Sequence, residues 1–539
     1  MPSRRTLLAF SLIFALYAAL YARSLSYPFV WDDVVAIAEN PLMNVSVWDG
    51  LRASQHDHID AEWRTTVYRP VHDSWRPVLY LSYRLDSALW GISPAPMRAV
   101  NLLIGALFLL LVWRLARQWT GHEDVATAVT LALAVHPLLV EPVVYVSARA
   151  DLLMATLVVA SLVVADRGAA DTHGTTASRG VALRLGHCVA AGVLLMLALL
   201  TKEAALGGVL AGGLIWWSRG QLPAYRGPLL AMGVATLVWL AARLTFGGGD
   251  GTSASAPDAL AGLVHLPGSA LRGLTIMLLP FDLSTGRTHN PSWMWPGIAA
   301  TASALVLTAL ALRAPTLGRT ARFALAGWWW IPVTIGPAAI VVVLMNTFAD
   351  RYLLLPLVGV LIATGVGIQA LIARRPQWRG IAALGVALPM VLWSVVSAIQ
   401  VPTWDGHIKL YSHATSMAPE SALSWYRLGT ALHEAGDASG AALAWSTSAE
   451  LDPTDVRAWN NVGVLQMRAG DFRAAEVTFL RGVEEGSNEN VWVNLARIQL
   501  LMDRTSDACA TLRRGLNDYP TSARARSLQA EHCSSEEAP

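Results

Sequence analysis

Residues 4–22 read RRTLLAFSLIFALYAALYA, two arginines and then an apolar run. As a helix rising about 1.5 Å per residue, the run reaches across most of a hydrocarbon core roughly 30 Å thick. A basic start and an apolar centre also describe a signal peptide, with YAR (21–23) as its processing region. Ten more apolar runs follow, near residues 98–116, 126–143, 150–165, 184–200, 204–218, 228–242, 297–312, 323–345, 353–373 and 380–400. An uncleaved first helix is therefore expected, and with it an all-α polytopic bundle of about eleven membrane helices. Several runs are short for a span unless the helices tilt or the bilayer thins. The piece LRGLTIMLLPFDL (271–283) reads either as a further span or as an interfacial helix.

Composition agrees. Of 539 residues, 54% are hydrophobic and 14% charged, against about 25% charged in soluble proteins; mean hydropathy is +0.43. Twenty-two tryptophans suit membrane interfaces. A net charge of +2 gives no footing for nucleic acid or for an acidic substrate. The glycine-rich GGGDG (247–251) lacks the strand, helix and lysine of a phosphate-binding loop, which disfavours nucleotide-driven transport.

Basic residues fall in alternate loops: Arg4 and Arg5, Arg114 and Arg117, Arg179 and Arg184, Arg219 and Arg226, RAPTLGRTARF (313–323) and ARRPQWR (373–379). Placed in the cytoplasm, they satisfy the positive-inside tendency. The N-terminus is then cytoplasmic. The loop 23–97, the glycine-rich stretch, DRYLLLP (350–356) and the C-terminal tail then lie on the opposite side.

The tail repeats itself. WYRLGTALHEAGDASGAALAWSTSAELDP (425–453) aligns with WNNVGVLQMRAGDFRAAEVTFLRGVEEG (459–486) at an offset of 34, and VWVNLARIQLLM (491–502) opens a third unit that degenerates toward Cys509. This is the period of a tetratricopeptide-like helical array. The expected division is a membrane domain over 1–402, a soluble repeat domain over 403–530 and a disordered end over 531–539. The repeats read either as a concave surface for a polypeptide or as a structural cap. Cys509 and Cys533 are close enough to pair if the tail is outside the cytoplasm, or two helices hold them apart as free thiols.

Polar groups collect on the external side. The loop 23–97 carries Asp32 and Asp33 in YPFVWDDVVAIAENP (27–41), then QHDHIDAEWR (55–64), then RPVLYLSYRLDSALWG (76–91), whose helical spacing describes an amphipathic helix on the bilayer. His56 and His58 with Asp57 or Asp60 have zinc-like types but loose spacing, so a solvated loop is the better reading. HPLLVEPVVYVSARADLL (136–153) brings His136, Glu141, Arg149 and Asp151 to helix ends. Lys202 with Glu203, and Asp350 with Arg351, open further breaks on that side. Charges beside apolar helices are functional candidates by default, although Arg149 and Asp151 also read as a plain structural pair.

These residues resemble a family. Asp32-Asp33 with Asn40-Pro41, RPVLYLSYRLD (76–86), Asn101, HPLLVEPVVYVSARAD, Lys202-Glu203, LLPFDLS (278–284), DRYLLLP and the terminal repeats are together similar to glycosyltransferases of the GT-C fold class. The nearest likeness is to the transmembrane and tetratricopeptide-repeat-containing O-mannosyltransferases. The resemblance implies transfer of mannose or another hexose from a polyprenyl-phosphate donor to a protein Ser/Thr hydroxyl, with inversion. Asp32 or Asp33 is then the general base. Arg149, Lys202 and Arg351 are the cations for the lipid phosphate, with His136 as a further donor and Glu141 and Asp151 orienting cations or sugar. No metal site is assigned; a divalent metal is not favoured, although related lipid-oligosaccharide transferases use one. The implied partners are the lipid-linked sugar and an exported polypeptide engaged by the repeats. Short loops and a short array suggest a bacterial inner-membrane protein with periplasmic repeats. Two rival readings stand beside this one. A lipid-linked-sugar flippase predicts inverted repeats, helices broken near the midplane and charges inside the spans. A non-catalytic assembly factor predicts that neutralising Asp32 and Asp33 has little effect.

Overall fold

The computed structural model describes residues 4–48, 75–170, 177–246, 256–281, 283, 287–288, 291–313, 322–323, 326–327, 329–336 and 347–533. They form two compact units, Met1–Gly406 and His407–Pro539. His56 and His58 lie outside the described residues.

The first unit is helical: α1 (Arg4–Tyr21), α2 (Pro77–Trp90), α3 (Pro94–Thr120), α4 (Glu123–Val135), α5 (Val140–Val144), α6 (Arg149–Ala170), α7 (Ala177–Leu199), α8 (Leu206–Ser218), α9 (Arg226–Phe246), α10 (Ala256–Leu278), α11 (Met294–Arg313), α12 (Leu354–Arg374) and α13 (Arg379–Gln400). Two short strands, Arg287–Thr288 and Thr347–Phe348, pair antiparallel.

The expected eleven spans are not what the helices provide. Among the described residues, seven helical segments are long and apolar enough to cross a membrane: Thr6–Ser26, Pro94–Thr120, Val146–Arg167, Ala182–Leu199, Leu222–Phe246, Asp350–Arg374 and Pro376–Trp404. An eighth results if α4 and the segment Pro137–Val144 count as one, since they bend by 64° at their junction. The physical reason is length. The run at 204–218 yields only the 13-residue α8, and the apolar part of α11 stops at Met294–Leu310, against about 20 residues for a full crossing. The run at 323–345 lies partly outside the described residues. The segment around residue 275 belongs to α10, a 23-residue helix that includes Pro267 and is not among the spanning segments.

The first loop folds back onto the bundle. Ile37, Leu42 and Met43 from the loop pack with Leu79, Tyr80 and Tyr83 of α2, Met97 of α3, and Val146 and Ala150 at the start of α6. The α2 helix is amphipathic in an unusual sense. Its inner face buries those residues with Asp86, while Leu81, Leu85, Leu89 and Trp90 remain exposed on the outer face, as expected of a helix lying against lipid. Asn40 joins two turns beneath the acidic pair: its amide nitrogen donates to Ala36 O (2.9 Å) and its Oδ1 accepts from Leu42 N (2.9 Å).

The second unit stacks helices: α14 (His407–Met417), then the pairs α15 (Ala422–Glu434) and α16 (Ala438–Leu451), α17 (Val456–Arg468) and α18 (Phe472–Glu485), α19 (Glu489–Leu501) and α20 (Thr505–Asp518), and last α21 (Ala523–His532). Small residues let the paired helices touch. A Cβ on Gly429 would sit 2.6 Å from the Trp445 ring, and one on Gly463 2.5 Å from Phe479. The third pair is complete rather than degenerate. Thr478 donates to Gln466 in the second pair (2.7 Å) and Thr511 to Gln499 in the third (2.8 Å). Ala525 and Leu528 of α21 pack on Val493, Ala496, Ala508 and Leu512. Cys509 and Cys533 form a disulfide with Cα atoms 5.8 Å apart.

Candidate active site

The acidic pair lies just after a sharp turn. Trp31, immediately before Asp32, has φ +54°, a left-handed conformation that costs a bulky L-residue on the order of 1–3 kcal/mol and clusters at functional sites. Its ring stacks on Tyr145 at 5.5 Å and 9°, and Tyr145 stacks in turn on Trp404 at 5.1 Å. Trp31 is therefore packed against protein. The chain leading to it is held by buried Arg98, which donates to Tyr27 O and Pro28 O and to Val144 O (2.9 Å).

Beyond this turn the two aspartates differ. Asp33 is fully buried. Its Oδ1 accepts from both N and Oγ of Ser147 at 2.7 Å, and its Oδ2 accepts from Val30 N at 3.4 Å. Burial pushes its carboxyl up to about 6, against the opposing pull of the Ser147 hydrogen bonds and Arg98. Asp32 keeps accessible surface, and its backbone N donates to the Tyr145 hydroxyl at 3.1 Å.

Four charged side chains from separate elements form an alternating chain next to this turn. Glu141 of α5 meets Nη1 of Arg351 at 2.5 Å. Nε of Arg351 lies 3.3 Å from Asp151 of α6, and Asp151 holds Lys202 Nζ at 2.6 Å. Aromatic rings wall both cations. Arg351 lies 5.4 Å from the Tyr352 ring, 5.8 Å from Trp31 and 6.0 Å from Tyr145, while Lys202 Nζ is 4.4 Å from Tyr352. Among the described residues, Nη2 of Arg351 and two of the three Lys202 protons have no hydrogen-bond partner in the chain. A narrow cavity lies between Asp151, Ala204, Thr334, Arg351 and Tyr352. It is roomy enough for about one water, so a larger ligand needs these side chains to part.

A second ion pair extends the polar face. Arg76 meets Glu203 at 2.9 Å, and Val78 N donates to Leu200 O at 3.2 Å, fastening the start of α2 to the end of α7. Burial opposes the charge of Glu203, but Arg76 and Lys202 outweigh it and hold the carboxyl at about 2.

Two expected site residues sit apart. Arg149 pairs with Asp86 of α2 at 2.7 Å and not with Asp151. Its Nε donates to Asn101 Oδ1 (2.6 Å), its Nη2 to Met97 O (2.8 Å), and its guanidinium lies 5.0 Å from the Tyr83 ring. It is wholly buried with all three nitrogens engaged. His136 is likewise committed: Nδ1 accepts from Leu138 N (3.1 Å), which leaves Nε2 to donate to Met277 O (3.0 Å). Asp350 is buried at the start of the segment that presents Arg351. Among the described residues, no group of three or more His, Cys, Asp or Glu side chains is arranged to hold a metal.

Arg76, Arg98, Tyr145, Ser147 and Tyr352 were absent from the sequence-based site. Arg76 stood in the RP block, and Tyr145 and Ser147 stood inside HPLLVEPVVYVSARADLL. Tyr145 and Ser147 are not charged residue types, so charge alone does not mark them.

No family model matches the chain. Part of it is similar to several proteins called protein O-mannosyl-transferases. TMTC1 of Mus musculus is 34% identical over 138 residues, 25% of this chain and 14% of the relative. TMTC2 of Mus musculus is 32% identical over 140 residues, 26% and 16%. TMTC3 of Homo sapiens is 30% identical over 145 residues, 26% and 15%. The matches thus span about a sixth or less of each relative. Among solved structures, the archaeal oligosaccharyltransferase AglB from Archaeoglobus fulgidus, in complex with an inhibitory peptide and a dolichol-phosphate, superposes with a TM-score of 0.40 at 13% identity, covering 74% of this chain and 56% of that one.

Proposed function

We propose that this chain is a membrane glycosyltransferase that moves a hexose, mannose being one candidate, from a polyprenyl-phosphate donor to a Ser or Thr hydroxyl of an exported polypeptide. The observation that carries the reading is the Lys202–Asp151–Arg351–Glu141 chain, brought beside the Asp32 turn by Tyr145 and Trp31. The similarity to O-mannosyl-transferases over a quarter of the chain supports it.

In this scheme Asp32 is the general base. The acceptor hydroxyl oxygen attacks the anomeric carbon, its proton passes to the Asp32 carboxylate, and the bond from the anomeric carbon to the phosphate oxygen breaks on the opposite face. The configuration inverts. The bonding pair leaves with the phosphate, whose charge is met by Nη2 of Arg351 and by Lys202. Preorganised donors in a partly dehydrated site lower such a barrier more than the same donors do in water. Glu141 and Asp151 hold the two cations in place before the lipid arrives. Arg149, with every nitrogen already engaged, supports α2 and takes no part in holding phosphate. The reaction sits on the extracytoplasmic side of a bacterial inner membrane, and the repeats engage the acceptor.

The test is transfer of labelled sugar from synthetic polyprenyl-phosphate hexoses to Ser/Thr peptides by the membrane-reconstituted protein. Asp32→Asn is expected to lower transfer at least about 100-fold, the scale of losing a general base. Wild-type rates in D32N would remove the base assignment. No transfer by the wild type from any such donor would remove the transferase reading.

A further inference from the structure

Asp33 and Ser147 are not required by the chemistry just described, yet they form the most tightly organised contact around the acidic pair. Both Ser147 donors meet one oxygen of Asp33 at 2.7 Å, across 114 residues of sequence. The other oxygen takes Val30 N, so the carboxylate closes a ring around Val30, Trp31 and Asp32. Inside that ring lies Trp31 at φ +54°, the one non-glycine residue with positive φ among the described residues of the loop.

Asp33 would be a chemically attractive base, since a carboxylate pushed up to about 6 is more basic than an ordinary one. Geometry overrides this. A base must reach the proton it takes, and Asp33 has no exposed surface and no oxygen without a donor. Its neighbour Asp32 has accessible surface. We propose that Asp33 and Ser147 form a latch that clamps the 30–33 turn to the start of α6, holds Trp31 in its left-handed conformation and thereby presents Asp32. Asp33 is then a positioning residue. The latch rests on the transferase reading for its purpose, but its existence is testable without turnover.

Three features fit a latch better than a passive buried pair. Ser147 lies two residues before Arg149 and four before Asp151, so the clamp ties the Asp32 turn directly to the element that organises Lys202 and Arg351. Tyr145, two residues earlier on the same segment, grips the other side of the turn through Asp32 N and the Trp31 ring. Ser147 uses both backbone and side-chain donors on one oxygen, a charge-assisted arrangement stronger than neutral bonds.

The experiment labels carboxylates of the reconstituted full chain with a water-soluble carbodiimide and an amine, then reads residues 32 and 33 separately by tandem mass spectrometry. In the wild type Asp32 is modified and Asp33 is protected. In Ser147→Ala, confirmed folded by its melting transition, Asp33 becomes modified, and Ser147→Thr restores protection by replacing the hydroxyl. Modification of wild-type Asp33 as readily as Asp32, or continued protection in S147A, overturns the latch. The same variants are assayed for transfer: S147A lowers kcat about 10-fold with KM for donor and acceptor unchanged, and S147T recovers most of it. A change confined to KM contradicts a positioning role. If the wild type transfers nothing, the transferase reading fails while the labelling still decides the latch.

Discussion

Two arginines, Arg149 and Arg351, are both paired with carboxylates and both lie beside aromatic rings, yet they differ in how fully they are satisfied. Arg149 is sealed. Its side chain has no exposure, and Asp86, Asn101 and Met97 O account for its three nitrogens. Arg351 keeps 15% of its side-chain surface, borders a cavity and leaves Nη2 without a partner among the described residues. Burial with full satisfaction makes a cation part of the scaffold. A cation held by two carboxylates, with a donor left over, is the one the proposed scheme assigns to the lipid phosphate.

This comparison can be broken. The largest effect is expected from Arg149→Ala, which leaves Asp86 buried without its counter-charge, a situation that costs about 3–5 kcal/mol. Loss of the folded protein, or a large fall in its melting temperature in detergent, is the predicted outcome. A stable and inactive R149A would instead place Arg149 with the chemistry. Arg351→Ala and Lys202→Ala are expected to reverse the pattern: Asp151 keeps one of its two cations in each single variant, so the fall in melting temperature is smaller than in R149A, while transfer falls about 100-fold. Loss of folding in both would make the two arginines alike.

A smaller effect concerns Asp33. Its carboxyl stands at about 6 in the folded chain and near 3.8 when unfolded. Between these values the folded protein binds the extra proton, so this group's contribution to stability falls as pH rises from about 4 to 6. The total is on the order of 1–3 kcal/mol. Asp33→Asn should flatten that slope in melting curves taken across the window, and an unchanged slope would show that another group sets it.

Much of this arrangement was legible in the sequence. Apolar runs and a 34-residue offset are regular patterns that survive without tertiary information, so the membrane bundle, the repeats and the amphipathic α2 could be anticipated. The number of spans could not, because hydropathy does not reveal where a helix stops: α8 ends after 13 residues, and the helix after α4 turns by 64° at His136. Within the site, charged residue types marked Asp32, Glu141, Asp151, Lys202 and Arg351, but not which carboxylate meets which cation. Arg149 pairs with Asp86, 63 residues upstream, rather than with Asp151 two residues away, because the helix start sends those two side chains in different directions. Tyr145 and Ser147 stood inside the 136–153 stretch, but no charge marked them there. Their importance comes from where the short turn between α5 and α6 puts them.

The central claim, that the Lys202–Asp151–Arg351–Glu141 chain is a lipid-phosphate site, is tested most directly by thermal shift with a short-chain polyprenyl phosphate. At about 100 times its dissociation constant, a ligand that binds only the folded state adds about 2.7 kcal/mol. The wild type is predicted to show a saturable rise in melting temperature that is lost in the Arg351→Ala variant, where Lys202 still holds Asp151. An equal rise in both proteins, or none in the wild type, would contradict the account.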